Sequence, residues 1–377
     1  MKVNNLRPVK AEINLNNLAH NIRELRKRSM SKNFMAVVKA DGYGHGAVPV
    51  AKISLNNGAD NLGVATIQEG IELREAGIKV PILIFGWTPD EYAEYLPKYK
   101  LTQTVFSFTQ AERLSSAVKK IGEQVDVHLK IDTGMNRLGF QINQKSKEEI
   151  KKIFSFNSIN VLGIFTHFAE ADNRASNYTI NQYKNFKKFL LELESYGLKF
   201  PVRHCANSAA IIDYPSTHMD MVRAGISIYG FYPDLIMKDM IKLKPVMRLL
   251  ARIAHIKNIS AGETVSYGRT FGAQQNRKIA TIPVGYADGY NRLLSNKGKV
   301  IIGDSFAPVV GRVCMDQFMV DITHIEENIQ PGDEVILFGE NDNGIQVSVD
   351  EIADITGTIN YEIVCMVNKR VPRVYLQ

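Results

Sequence analysis

Between about residues 16 and 230, short apolar, β-branched runs alternate with longer amphipathic segments, and this constrains the fold more than any other feature of the chain. The runs fall at 34–39, 62–66, 81–85, 101–106, 125–131, 160–167, 201–205 and 220–228, which predicts eight strands. Helical periodicity covers 16–29, 46–57, 68–77, 90–98, 109–121, 146–155, 177–196 and 207–213, eight segments before or between them. Eight of each in alternation is the pattern of a (β/α)8 TIM-type barrel. An open doubly wound sheet can be built from the same units, but no GxGxxG follows the first strand, so a dinucleotide site lacks its phosphate turn. After about residue 240 helical periodicity gives way to short runs at 251–259, 278–284, 300–302, 308–313 and 334–338, broken by Gly, Asn and Pro-Gly. One short helix is expected at 348–355, with Ser348 as N-cap and Glu351 three residues on. The expectation is an α/β chain: a barrel over 11–240 and a mainly β domain over 241–377, with residues 1–10 packing with the second.

Composition narrows the class of function. The chain has 377 residues, 45% of them hydrophobic and 23% charged, which excludes a disordered or membrane-embedded chain. Its +7 charge is diffuse. The densest basic patch, Arg23, Arg26, Lys27, Arg28 and Lys32, lies on an amphipathic helix and reads as its solvated face, so neither nucleic acid nor membrane is an expected partner. Cys205, Cys314 and Cys365 are too few and too scattered for a disulfide framework or a zinc site, and no metal is expected. With no apolar export segment at the start, the expected location is cytoplasmic.

Active sites of (β/α)8 barrels form at the C-terminal ends of the strands. Here those ends carry Lys39, then Lys130 leading to Asp132 and Arg137, then His167, then His204 and Asn207, then Arg223. Taken singly, a lysine closing a strand reaches solvent, and a histidine there is a hydrogen-bonded core side chain. The setting of Lys39 argues for more, because it follows five apolar residues and precedes a glycine-rich stretch through which backbone can approach a ligand. An amine at an apolar barrel rim is destabilised as a cation, and a neutral amine forms Schiff bases. The last two strand ends offer Asn207 and Ser208 opening a helix, and Gly225 and Ile226 after the final run, where such barrels hold phosphate. A Schiff-base lysine with a phosphate cradle points to pyridoxal 5'-phosphate.

Several motifs then resemble the alanine racemase family: AVVKADGYGHG around Lys39, KIDTGMNRLGF at 130–140, HCANSAA at 204–210, DMVRAGISIYG at 220–230, SYGRTF at 266–271, GYADGY at 285–290, GRVCMDQFMVD at 311–321 and NYEIVCMVNKRVPR at 360–373. The resemblance covers nearly the whole chain. It implies that Lys39 carries the cofactor and serves as base on one face of alanine, while Tyr43, Ser208, Gly225, Ile226 and Tyr361 hold the phosphate, beside Asn207. It further implies that Arg223 faces the pyridine nitrogen, that Arg137 bonds the cofactor's phenolic oxygen, and that Lys130 is carbamylated and orients Arg137. The second base is then Tyr267 from a partner subunit, assisted by His167 with Arg223. Met315 and Asp316 of that partner, with Arg137, receive the substrate carboxylate, so the implied assembly is a homodimer with composite sites. Asp172, Tyr286, Arg292 and Arg312 are implied as an outer rim. Two other readings stay open on the residues alone: a barrel-type amino-acid decarboxylase, for which Cys314 could serve, and a non-catalytic pyridoxal phosphate carrier. The placement of Tyr267 and Arg223 opposes the first, and the length beyond residue 240 opposes the second.

Overall fold

A computed structural model describes residues 7–377 and divides the chain into two compact units. One comprises Asn17–Gly42 and Gly46–Lys244; the other comprises the described residues up to Asn16, Tyr43–His45 and Pro245–Gln377. Of the opening ten residues expected to pack with the second domain, 1–6 lie outside the described residues. Val9 and Lys10 lie in β1 (Val9–Asn14), which belongs to the second unit.

The first unit opens within α1 (Leu15–Arg28), whose Leu18, Ile22 and Leu25 are fully buried at helical spacing while Lys27 stays out. Its strands are β2 (Asn33–Val37), β3 (Asn61–Val64), β4 (Ile82–Ile84), β5 (Thr102–Val105), β6 (Val125–Asp132), a two-residue β7 (Phe140–Gln141), β8 (Ile159–Phe165), β9 (Val202–His204) and β10 (Met221–Ala224). Parallel pairing runs β2-β3-β4-β5-β6-β8-β9-β10 and returns from β10 to β2, so eight strands close on themselves. This is the expected barrel, each strand lying within its predicted run to a few residues. The last run is the poorest match, because Gly225 ends β10 early and Ile226–Tyr229 form a 3-10 turn. The predicted helix at 90–98 is likewise two short pieces, Asp90–Tyr92 and Tyr95–Lys98. Met35, Leu83 and Met221 pack together as part of the barrel core, with Phe85 and Val202 against them.

The second unit is mainly β, as expected. Its large sheet places β1 between β11 (Met247–Arg252), to which it is antiparallel, and the parallel strand Arg373–Leu376. The predicted run 251–259 is in fact the end of β11 and a separate strand, His255–Ile259. Ile259, Val265, Ala273, Ile279 and Val310 form one apolar cluster there. Ser348 does cap the helix Val349–Thr356, its Oγ accepting from the Glu351 amide at 3.0 Å. A second helix, Asn360–Met366, and the strands Phe318–Asp321 and Arg373–Leu376 were not expected.

Candidate active site

In the barrel unit, β6, β8, β9 and β10 bring one cation and three imidazoles together. Arg223 on β10 is nearly fully buried. Its Nη1 donates to His204 Nδ1 at 2.9 Å, and its Nη2 to His167 Nδ1 at 2.9 Å and to the carbonyls of Thr166 and Cys205 at 3.0 and 3.1 Å. An imidazole nitrogen that accepts from arginine bears no proton, so His204 is protonated on Nε2 and His167 on its far nitrogen. His204 Nε2 then donates to His128 Nδ1 at 2.8 Å, which directs the chain of bonds away from Arg223. Burial, seconded by the Arg223 charge, lowers the pKa of all three rings, that of His128 to about 3. Burial also pulls Arg223 down to about 10, which leaves it cationic at neutral pH. The described acceptors of this charge are all neutral.

Phe165, at the end of β8, forms one wall. Its ring stacks on His204 at a centroid distance of 4.6 Å, with Lys130 Nζ at 5.1 Å and Arg223 Cζ at 5.3 Å from the ring centre. Lys130 on β6 is buried, and desolvation, then Arg223 and Arg137, push its amine well below the usual lysine range. Gly163 is what lets His128 fit, since a Cβ there would lie 2.7 Å from the imidazole.

Lys39 follows β2 and begins an unusual turn in which Ala40, Asp41, Gly42 and Tyr43 all have φ between 52° and 60°. Successive left-handed residues are costly and persist only when held. The holds are Glu69 Oε1, accepting from the Ala40 amide at 2.7 Å, and Asp41 Oδ1, accepting from the Ala47 amide at 2.8 Å. Glu69 Oε2 also closes a capping box with Thr66. At the other strand ends, Asn207 caps Ser208–Asp213 by accepting from the Ala210 amide, and Ser208 Oγ accepts from the Gly225 amide at 2.8 Å. Ile226 follows directly, and the buried Ser227 Oγ beside it has no hydrogen-bond partner among the described residues. Arg137 is exposed on the loop after β6.

The second unit carries the other expected residues. Tyr43 and Tyr361 have ring centroids 6.3 Å apart, and burial holds the Tyr43 phenol far above its ordinary range. Tyr267 sits on the turn Tyr267–Arg269 and is 72% exposed; Met315 is 53% exposed. The Cys314–Met315 segment is pinned through backbone: its two carbonyls accept from the amides of Tyr286 and Ala287 at 3.0 Å each. Asp316 pairs with Arg370 at 2.7 Å, and Arg370 also reaches the fully buried Asp288 at 3.0 Å.

His128, Phe165, Glu69, Asp288 and Arg370 are site-supporting residues that sequence reasoning did not select. His128 stands in a predicted strand, and only the pairing of β6, β8 and β9 brings it to His204. Arg370 stands in the NKR stretch at 368–370, whose spacing assigns it no role.

Comparison with known proteins agrees along the whole chain. Residues 13–233 match the family model for the alanine racemase N-terminal domain, and 246–375 that for the alanine racemase C-terminal domain. Alanine racemase 1 of Clostridium acetobutylicum is 48% identical over 99% of this chain and 96% of its own length, and the alanine racemase of Desulforamulus reducens 49% over 98% and 99%. The solved alanine racemase of Clostridium difficile 630 superposes with a TM-score of 0.92 at 45% identity, covering 98% of this chain and 96% of that one. That of Bacillus anthracis with bound L-Ala-P gives 0.93 at 33%, covering 98% and 95%.

Proposed function

The chain belongs to the alanine racemase family, and on that footing we propose that it interconverts L-alanine and D-alanine by passing the α-proton between two bases, Lys39 and Tyr267, with pyridoxal 5'-phosphate as cofactor. When bound, pyridoxal phosphate withdraws electrons from the α-carbon of an attached amino acid and so acidifies its proton.

The residues present suit that group. Lys39 offers a primary amine at the end of β2, and Ser208, Gly225 and Ile226, beside the capping Asn207, gather polar groups at the ends of β9 and β10. The unpartnered Ser227 Oγ there is the kind of buried polar atom that a ligand satisfies. Tyr43, kept un-ionised by burial, can donate a hydrogen bond to phosphate, with Tyr361 beside it.

The observation that carries the reading is Arg223. A buried guanidinium whose described acceptors are all neutral keeps its full positive charge for a neighbour. Set against a pyridine nitrogen, it leaves that nitrogen unprotonated and limits how far negative charge spreads from the α-carbon. Prompt return of the proton is then favoured over side reactions. A decarboxylase gains from the opposite arrangement, with a carboxylate at that position.

Lys130 supports the same picture. Burial and two arginines lower the pKa of its amine, which raises the share of the neutral form that attacks carbon dioxide, forming a C–N bond and losing a proton to water. The resulting carbamate is an anion, suited to orient Arg137, which in turn bonds the cofactor's phenolic oxygen. On this reading His167, which accepts from Arg223, assists the second base.

Tyr267 and Met315 are each more than half exposed on the second unit, which leaves both side chains available to a partner chain. We therefore assign Tyr267, Met315 and Asp316 to the site of a partner in a homodimer, with the last two and Arg137 receiving the substrate carboxylate. Incubation of the cofactor-loaded protein with single enantiomers of alanine and of larger amino acids, followed by chiral chromatography, tests the function. Alanine should racemise fastest; release of carbon dioxide, or no reaction, would overturn the proposal.

A further inference from the structure

Tyr267 is 72% exposed, so packing within its own chain cannot fix where its phenol points. The backbone must do so. The preceding residue, Ser266, has φ 68° and ψ −178°, a region that glycine occupies and other residues avoid. Two further positive φ values follow within the turn, 70° at Gly268 and 52° at Arg269.

Such a conformation persists only if its surroundings hold it. Ser266 Oγ donates to the Arg312 carbonyl at 2.7 Å and lies 3.4 Å from Cys314 Sγ, while the Ser266 carbonyl accepts from the Arg269 amide at 3.2 Å. Gly311 makes the close approach possible, since a Cβ there would stand 2.8 Å from Ser266 Cβ. The serine side chain thus ties the turn bearing Tyr267 to the segment that leads into Met315 and Asp316.

We infer that Ser266 is a positioning residue: its hydroxyl, bonded to the Arg312 carbonyl, holds a backbone conformation that serine would otherwise leave, and that conformation aims Tyr267. The inference rests on the proposed role of Tyr267 as a base. It makes an unusual demand. Alanine at 266 keeps the Cβ that disfavours this backbone and loses the bond that holds it, whereas glycine loses the bond and the disfavour together. Glycine should therefore rescue what alanine loses, although it is the more drastic truncation.

The test compares Ser266→Ala and Ser266→Gly, loaded with cofactor, by the rate at which the α-proton of L-alanine and of D-alanine exchanges with deuterated solvent. In Ser266→Ala the exchange of L-alanine should fall about tenfold or more relative to that of D-alanine, since a misplacement of about 1 Å costs up to ~100-fold. Ser266→Gly should recover most of that ratio. Amide hydrogen exchange at Arg269, read without substrate, should be faster in Ser266→Ala than in Ser266→Gly. An unchanged Ser266→Ala, or a Ser266→Gly no better than it in both measurements, would overturn the inference. Tyr267→Phe separates the two levels: if it retains L-alanine exchange, the two-base reading is wrong, and the Arg269 amide alone then decides the role of Ser266.

Discussion

The polar groups of the barrel unit and those of the strand unit are held in opposite ways. In the barrel, Arg223, His204, His128 and Lys130 are buried, and side chain holds side chain through bonds of 2.8–2.9 Å along the Arg223–His204–His128 chain. In the strand unit, Tyr267 and Met315 stand exposed, and what is held is their backbone, through the pinned carbonyls of Cys314 and Met315 and the bond from Ser266 Oγ to the Arg312 carbonyl. The first arrangement sets charge and protonation, which depend on exclusion of water. The second sets only direction, and leaves its side chains projecting from their own chain. One unit carries a closed electrostatic network; the other, on the proposed function, is the part that serves a neighbour.

The largest expected effect breaks the barrel half. Lys39→Ala should lower racemisation by ~10⁴-fold or more, since it removes a base and the cofactor's covalent anchor together. Borohydride reduction of the native enzyme followed by peptide mapping should find the pyridoxyl label on Lys39; a label on Lys130 would contradict the assignment. Tyr267→Phe breaks the other half, and should cost about 10³-fold in proton loss from L-alanine while D-alanine still exchanges its proton with solvent. Equal losses from both enantiomers would mean that the two halves do not serve opposite faces. Arg223→Glu should slow racemisation by about 10²-fold and raise the share of transamination, measured as pyruvate formed per turnover. A slower enzyme with unchanged partitioning would remove Arg223 from the pyridine nitrogen.

The smallest effect concerns stability and sharpens the contrast. His128, His167 and His204 have folded pKa values below the usual histidine value near 6.5, so below that pH the unfolded chain binds more protons than the folded one. The stability they contribute is fully present above about pH 6.5 and is lost as pH falls toward the folded values, at about 1 kcal/mol per histidine between pH 7 and 5.5. Calorimetry across that range should show the barrel's unfolding moving to lower temperature with proton uptake. His128→Phe should shrink the share due to these three rings by about a third.

Most of the barrel was legible because apolar runs and helical periodicity are local signals, and Leu18, Ile22 and Leu25 of α1 are buried as their spacing implies. β1 is written locally only in part, because Val9, Ala11 and Ile13 turn inward against Lys10 but the charged Glu12 is buried with them. The ends of the strands named Lys39, Lys130, His167 and Arg223 because barrel geometry collects polar residues there. His128 gave no such sign, for a strand buried on both faces has no alternation to mark one residue as different. The bond from Arg370 to Asp316 spans 54 residues, and the assignment of Tyr43–His45 to the strand unit depends on contacts far along the chain, such as Arg373 Nε donating to the Gly44 carbonyl. Long-range pairing of this kind has no expression in local spacing.

The contrast between a half with a closed network and a half that serves a neighbour is tested most directly by mixing two inactive variants, Lys39→Ala and Tyr267→Phe, under conditions where subunits demonstrably exchange. Each mixed dimer then has one site built from an intact Lys39 and an intact Tyr267 of different chains, so racemisation should return at about half the sites of the mixed dimers. No recovery despite proven exchange would place both bases in one chain and contradict the account.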